Sequence, residues 1–81
     1  MKVVEAIEVV ARFDLSGKIT PLSVTWGEKN YSIESSGRRW QAEDGQHILV
    51  MTHSERMFEL VFNPTAGRWY LKQVGDGQIT A

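Results

Sequence analysis

The stretch Arg56 to Val74, RMFELVFNPTAGRWYLKQV, restricts what this chain can fold into more than any other. Phe58, Leu60 and Phe62 recur at every second position, so in a strand they share one face. Asn63-Pro64-Thr65-Ala66-Gly67 breaks the run. Asn is a favoured turn starter, Pro64 presets φ for a type I turn, and Gly67 is suited to the left-handed conformation that restores pairing. Trp69 and Leu71 then resume the alternation. The pattern predicts a β-hairpin with a loop over residues 63–67 and one heavily apolar face. A lone hairpin is marginal in water, so the remainder of the chain must cover that face.

Upstream, residues 3–13 (VVEAIEVVARF) carry two periodicities. Val3, Ile7, Val10 and Ala11 fit a helical stripe, whereas Ile7, Val9, Ala11 and Phe13 fit one strand face. The β-branched content and the lack of an N-cap residue favour the strand. Asp14 to Lys18 is a turn, in which Asp14 binds its own backbone and Gly17 supplies positive φ. In residues 19–26, Leu22, Val24 and Trp26 share one face, and Pro21 belongs at a strand start or edge. Gly27 to Asn30 turns the chain, which predicts Tyr31 and Ile33 opposite Trp26 and Val24. Ser35-Ser36-Gly37 reads as a loop or a bulge. Arg38-Arg39-Trp40 and a polar run with a turn at Asp44-Gly45 follow. Residues 47–53 (HILVMTH) form a strand too apolar to alternate cleanly, and His53 to Arg56 turns into the hairpin. The expected architecture is all-β, with about six antiparallel strands closing into a small barrel or roll, because closure removes exposed edges. Residues 1–74 make one domain, and residues 75–81, with little to bury, are expected as a flexible tail.

Composition narrows the classes further. The chain has 81 residues and no cysteine, which excludes disulfides, thiolate zinc sites and cysteine nucleophiles and fits a cytoplasmic protein. Nothing approaches the ~20 apolar residues of a membrane helix, and the N-terminus lacks the long uncharged core of a secretory signal. Nine basic and ten acidic residues give a net charge of −1, which exerts no global pull on nucleic acid or anionic lipid.

The order Ile7-Glu8-Val9, Trp26–Tyr31–Ile33, Arg39-Trp40 and Phe58-Glu59-Leu60…Gly67-Arg68-Trp69-Tyr70-Leu71 resembles a small bacterial domain of unknown function. That domain occurs alone and, in similar form, at the C-terminus of some proteins related to Y-family translesion polymerases. The segment after Arg39-Trp40 is shorter here and lacks that family's tryptophans. The resemblance implies a domain type and a loose link to DNA repair. It carries over no catalytic residue.

Arg38-Arg39-Trp40 is the one local basic–aromatic cluster. With Trp26, Tyr31, Trp69 and Tyr70 it suggests a stacking platform for single-stranded nucleic acid, although Trp26 and Trp69 fall on the expected core faces and Glu43 and Asp44 offset the arginines. Tyr70, Trp40 and Met51 lie off the main core face and are candidates for a peptide or dimer contact. His47 and His53, six residues apart, would stand about 20 Å apart along a strand at ~3.3 Å per residue, too far for one ion. No nucleophile elbow, phosphate loop or dinucleotide fingerprint is present, and no cofactor is expected. The sequence therefore supports a non-catalytic binding or assembly module with a protein partner or self-association. A nucleic-acid accessory domain is the alternative. The binding candidates are Arg38, Arg39, Trp40 and Tyr70.

Overall fold

The computed structural model of the chain describes residues 2–76, and the side chains of Val4 to Gly75. Six strands, β1 (Lys2–Phe13), β2 (Ile19–Trp26), β3 (Lys29–Ala42), β4 (Gly45–Thr52), β5 (Arg56–Asn63) and β6 (Arg68–Asp76), form a closed barrel with every neighbour antiparallel. No described helix is long and apolar enough to cross a membrane. β6 pairs with both β5 and β1, so the ring closes through the hairpin that the alternation marks out. Closure leaves no strand with a wholly unpaired edge. β6 continues through Gly75 and Asp76, which corrects the start of the expected tail; residues 77–81 lie outside the described residues.

Phe58, Leu60 and Leu71 are fully buried, with Val24, Ile48, Val50, Trp69 and Val74 around them. Ile7, Val9, Trp26, Tyr31, Ile33 and Phe62 pack against this cluster. Leu60 stands opposite Leu71 and Phe62 opposite Trp69. The edges of the Trp26 and Tyr31 rings meet Phe58 at 5.9 and 5.1 Å between centroids, within the preferred T-shaped range. Residues 3–13 resolve as strand, and Ile7, Val9 and Ala11 supply the inward face.

Leu22 departs from the expected core. A bulge between Val10 and Ala11 pairs Val10 with Ser23 and Ala11 with Pro21, which leaves Leu22 without an opposite residue. Inward positions therefore switch parity along β2, from Ile19 and Pro21 to Val24. Leu22 turns outward beside Val10 and is 48% exposed. The β2–β3 register also differs from expectation. The connection is a tight turn at Gly27-Glu28, so Trp26 faces Lys29 and Val24 faces Tyr31, while Ile33 pairs across to Thr52 of β4.

The last hairpin closes at Asn63 opposite Arg68, with Gly67 at φ 64° donating its N–H to the Asn63 carbonyl at 2.8 Å. At the first turn the Asp14 carboxylate accepts the N–H groups of Ser16 and Lys18, both at 2.9 Å.

Candidate functional site

Two irregularities in β3 shape the outer surface. Pairing with β4 shifts between Ile33 and Ser35 and again between Ser36 and Arg39, so Gly37 and Arg38 together oppose the single residue Leu49. Strand alternation puts the two adjacent arginines of the basic–aromatic cluster on opposite sides of the sheet, and the second shift decides which of them faces inward. Arg39 takes the inward parity, opposite Ile48, and its guanidinium donates to the Ile19 carbonyl oxygen. That bond spans the seam where β2–β3 pairing has ended at Ser23 and Ser32, so Arg39 joins two strands that no longer pair. Arg38 stays outside, exposed, with its guanidinium 5.0 Å from the centroid of the Trp40 ring. Among the described residues it has no carboxylate at ion-pair distance.

Trp40 and Tyr70 do share the outer face. The register runs Trp40–His47–Val61–Tyr70 across β3, β4, β5 and β6, which places the two rings three strand spacings apart, about 14 Å at ~4.8 Å each. Trp69 is buried in the core, and the partly buried Trp26 and Tyr31 pack against it, so the aromatics do not assemble into a single stacking platform.

Between Trp40 and Tyr70 lies a charged cluster that sequence reasoning missed. His47 faces outward yet is only 6% exposed. Its ring stacks on Trp40 at 4.9 Å and 25°. Nε2 lies 2.6 Å from Asp44 Oδ1 and Nδ1 lies 2.8 Å from Glu59 Oε2. Lys72 Nζ then meets the second oxygen of Asp44 at 3.2 Å. Burial disfavours charge on the ring, but the hydrogen bonds and charges of Asp44 and Glu59 outweigh it and hold His47 above the ordinary imidazole value. The hydrogen bond from His47, against a smaller opposing effect of burial and with further help from Lys72, holds the Asp44 carboxyl below its ordinary range. The two carboxylates occupy opposite ring nitrogens, so they do not converge on a common point. Among the described residues no group of three or more His, Cys, Asp or Glu is placed to hold a metal ion. Asp44 and His47 are three residues apart and meet locally, whereas the pairing of β4, β5 and β6 brings Glu59 and Lys72 to them.

Two shallow hollows open on this outer face. Leu49, Val50, Met51 and Met57 line the first, with Ser35 and Gly37 along one side and Arg38 at the rim. Gly37 borders it at the bulge, where a Cβ would meet only the Leu49 carbonyl oxygen, at 3.8 Å. Val4, Asp44, Val61, Asn63, Tyr70 and Lys72 line the second. Comparison of the chain with protein-family models, curated proteins and solved structures finds no match.

Proposed function

We propose that this barrel is a non-catalytic, cytoplasmic interaction module whose contact surface is the outer face of β3, β4 and β5. The observation that carries the reading is the hollow of Leu49, Met51 and Met57 with exposed Arg38 at its lip. Apolar surface that a small domain leaves concave and uncovered marks contact sites, and methionine adapts its shape to varied guests. A guanidinium without a carboxylate partner supplies the orienting charge. The partner that fits is an extended protein segment with an aliphatic side chain for the hollow and a neighbouring carboxylate for Arg38. A nucleic-acid role is less well supported, because Trp40 already stacks on His47 and Arg39 is bound to the Ile19 carbonyl.

Selection from a displayed random peptide library tests this, run beside anisotropy titrations with single-stranded oligonucleotides. Enriched peptides should pair an aliphatic residue with Asp, Glu or a terminal carboxylate, and Arg38→Glu should weaken them at least tenfold. Enrichment indifferent to Arg38, or Arg38-dependent oligonucleotide binding in its place, would overturn the reading. Arg39 is unsuitable for charge reversal because its contact with Ile19 is structural.

A further inference from the structure

His47 makes two demands that one proton cannot meet. A neutral imidazole has one N–H and one lone pair, but each ring nitrogen here faces a carboxylate oxygen at hydrogen-bond distance. Both contacts are attractive only when the ring carries both protons. Val61 is the second clue: it points to the outer face and is only 1% exposed. Asp44 and Lys72 border the same hollow as Val61 and Tyr70, so the β3–β4 turn and its ion pair close over that part of β5.

We infer that the β3–β4 turn is a proton-held cover: the His47 imidazolium clamps Asp44 over β5, and loss of one ring proton releases the turn and uncovers Val61. This inference is independent of the partner reading above.

Exposure decides which contact yields. The Glu59 side chain is 14% exposed and fixed on a strand, so without a donor its carboxylate would be stranded. Asp44 is 44% exposed, sits on a turn and can be rehydrated. The single remaining N–H therefore stays on Nδ1 with Glu59. The Nε2 lone pair then faces Asp44 and repels it. Lys72, on a flexible stem, follows Asp44 outward. The charged or titratable groups that face the ring are Asp44 from the turn, Glu59 from β5, Lys72 of β6 through Asp44, and Arg38 of β3 above the stacked Trp40. The two carboxylates are nearest, which fixes the sign: the cover is closed on the acid side of the His47 transition and opens as pH rises through it.

The test follows the imidazole nitrogens of His47 by NMR across pH, together with relaxation of the Val61 methyls by a neutral gadolinium chelate. His47 should titrate above the ordinary value of about 6.5. Val61 relaxation, the Asp44 and Lys72 amide shifts and Trp40 emission should change with the same midpoint. Asp44→Ala alters only a turn residue; it should lower the midpoint and leave Val61 accessible throughout. Glu59→Gln separates the proposal from simple destabilisation, because an amide at position 59 can donate to a neutral ring and let Nε2–H keep Asp44. In that variant Val61 should stay covered after His47 deprotonates. A His47 midpoint at or below the ordinary value, Val61 protection that does not follow His47 in the native chain, or opening of Glu59→Gln at the native midpoint would each overturn the inference.

Discussion

Gly45→Ala should be among the most damaging single substitutions in this chain, although the same change at Gly67 should be mild. Gly45 is buried and has φ 134°, a conformation that is nearly closed to residues with a side chain. Holding a non-glycine residue there costs about 1–3 kcal/mol. A Cβ at Gly45 would also press on the Phe62 carbonyl group, with its carbon at 2.8 Å, and would lie 3.1 Å from the Asn63 Cα. These neighbours are backbone and cannot rotate away, so the start of β4 must move off the end of β5, at a cost typical of overpacking, about 1–3 kcal/mol. The sum, about 2–6 kcal/mol, rivals a total stability of about 4–12 kcal/mol, taken at ~0.05–0.15 kcal/mol per residue. Gly67, at φ 64°, has open space where a Cβ would go, so Ala there incurs only the left-handed conformation, about 1–2 kcal/mol, partly offset by a stiffer unfolded chain. Urea unfolding monitored by tryptophan emission separates the two. With a slope of roughly 1 kcal/mol per molar urea, Gly67→Ala should lower the midpoint by about 1 M and Gly45→Ala by several, or leave no folded baseline. Equal shifts would refute the argument that backbone contact, rather than φ alone, sets the cost. Gly45 also precedes His47 on β4 and follows Asp44, so a folded remnant should show a lowered His47 midpoint.

Trp69→Ala should cost about 3–5 kcal/mol through lost burial and a cavity, whereas Trp40→Ala, which removes a stacked outer ring, should cost clearly less; urea midpoints decide, and an inverted order would reverse the assignment of core and surface aromatics. Arg38→Glu should leave the melting temperature nearly unchanged, but Arg39→Glu should lower it distinctly, because only Arg39 satisfies a backbone carbonyl across the β2–β3 seam. Stability should decline on both sides of neutrality. His47 is held above its ordinary value, so its contribution is full below about pH 6.5 and is lost as pH rises through the folded value. Asp44 is held low chiefly by His47, and Asp14 chiefly by the Ser16 hydroxyl and then the Lys18 N–H, so their contributions are present above about pH 3.9 and are lost as pH falls through the folded values. Denaturation midpoints across pH check both limbs, and His47→Gln should flatten the alkaline one.

The sequence by itself determined the strands and most of the interior. Alternation records which side chains lose water, and that is a local property once a segment is a strand. Phe58, Leu60, Phe62, Trp69 and Leu71 were therefore legible as one packed hairpin, and Ile7, Val9, Val24, Trp26 and Ile33 as its cover. Gly67 was legible because its turn needs a left-handed residue. Tertiary structure decided whatever depends on register. The bulge that expels Leu22 and admits Ile19 and Pro21 arises from pairing with β1, and β2 alone carries no mark of it. Arg38 and Arg39 look equivalent in the chain, yet a shift against β4 makes one a surface cation and the other a tie across the seam. The His47 cluster is the extreme case. Its members come from a turn and three strands, each unremarkable in its own segment. A charged contact needs two groups within a few ångströms; Asp44 and His47 are three residues apart, but only the register of β4, β5 and β6 brings Glu59 and Lys72 that near.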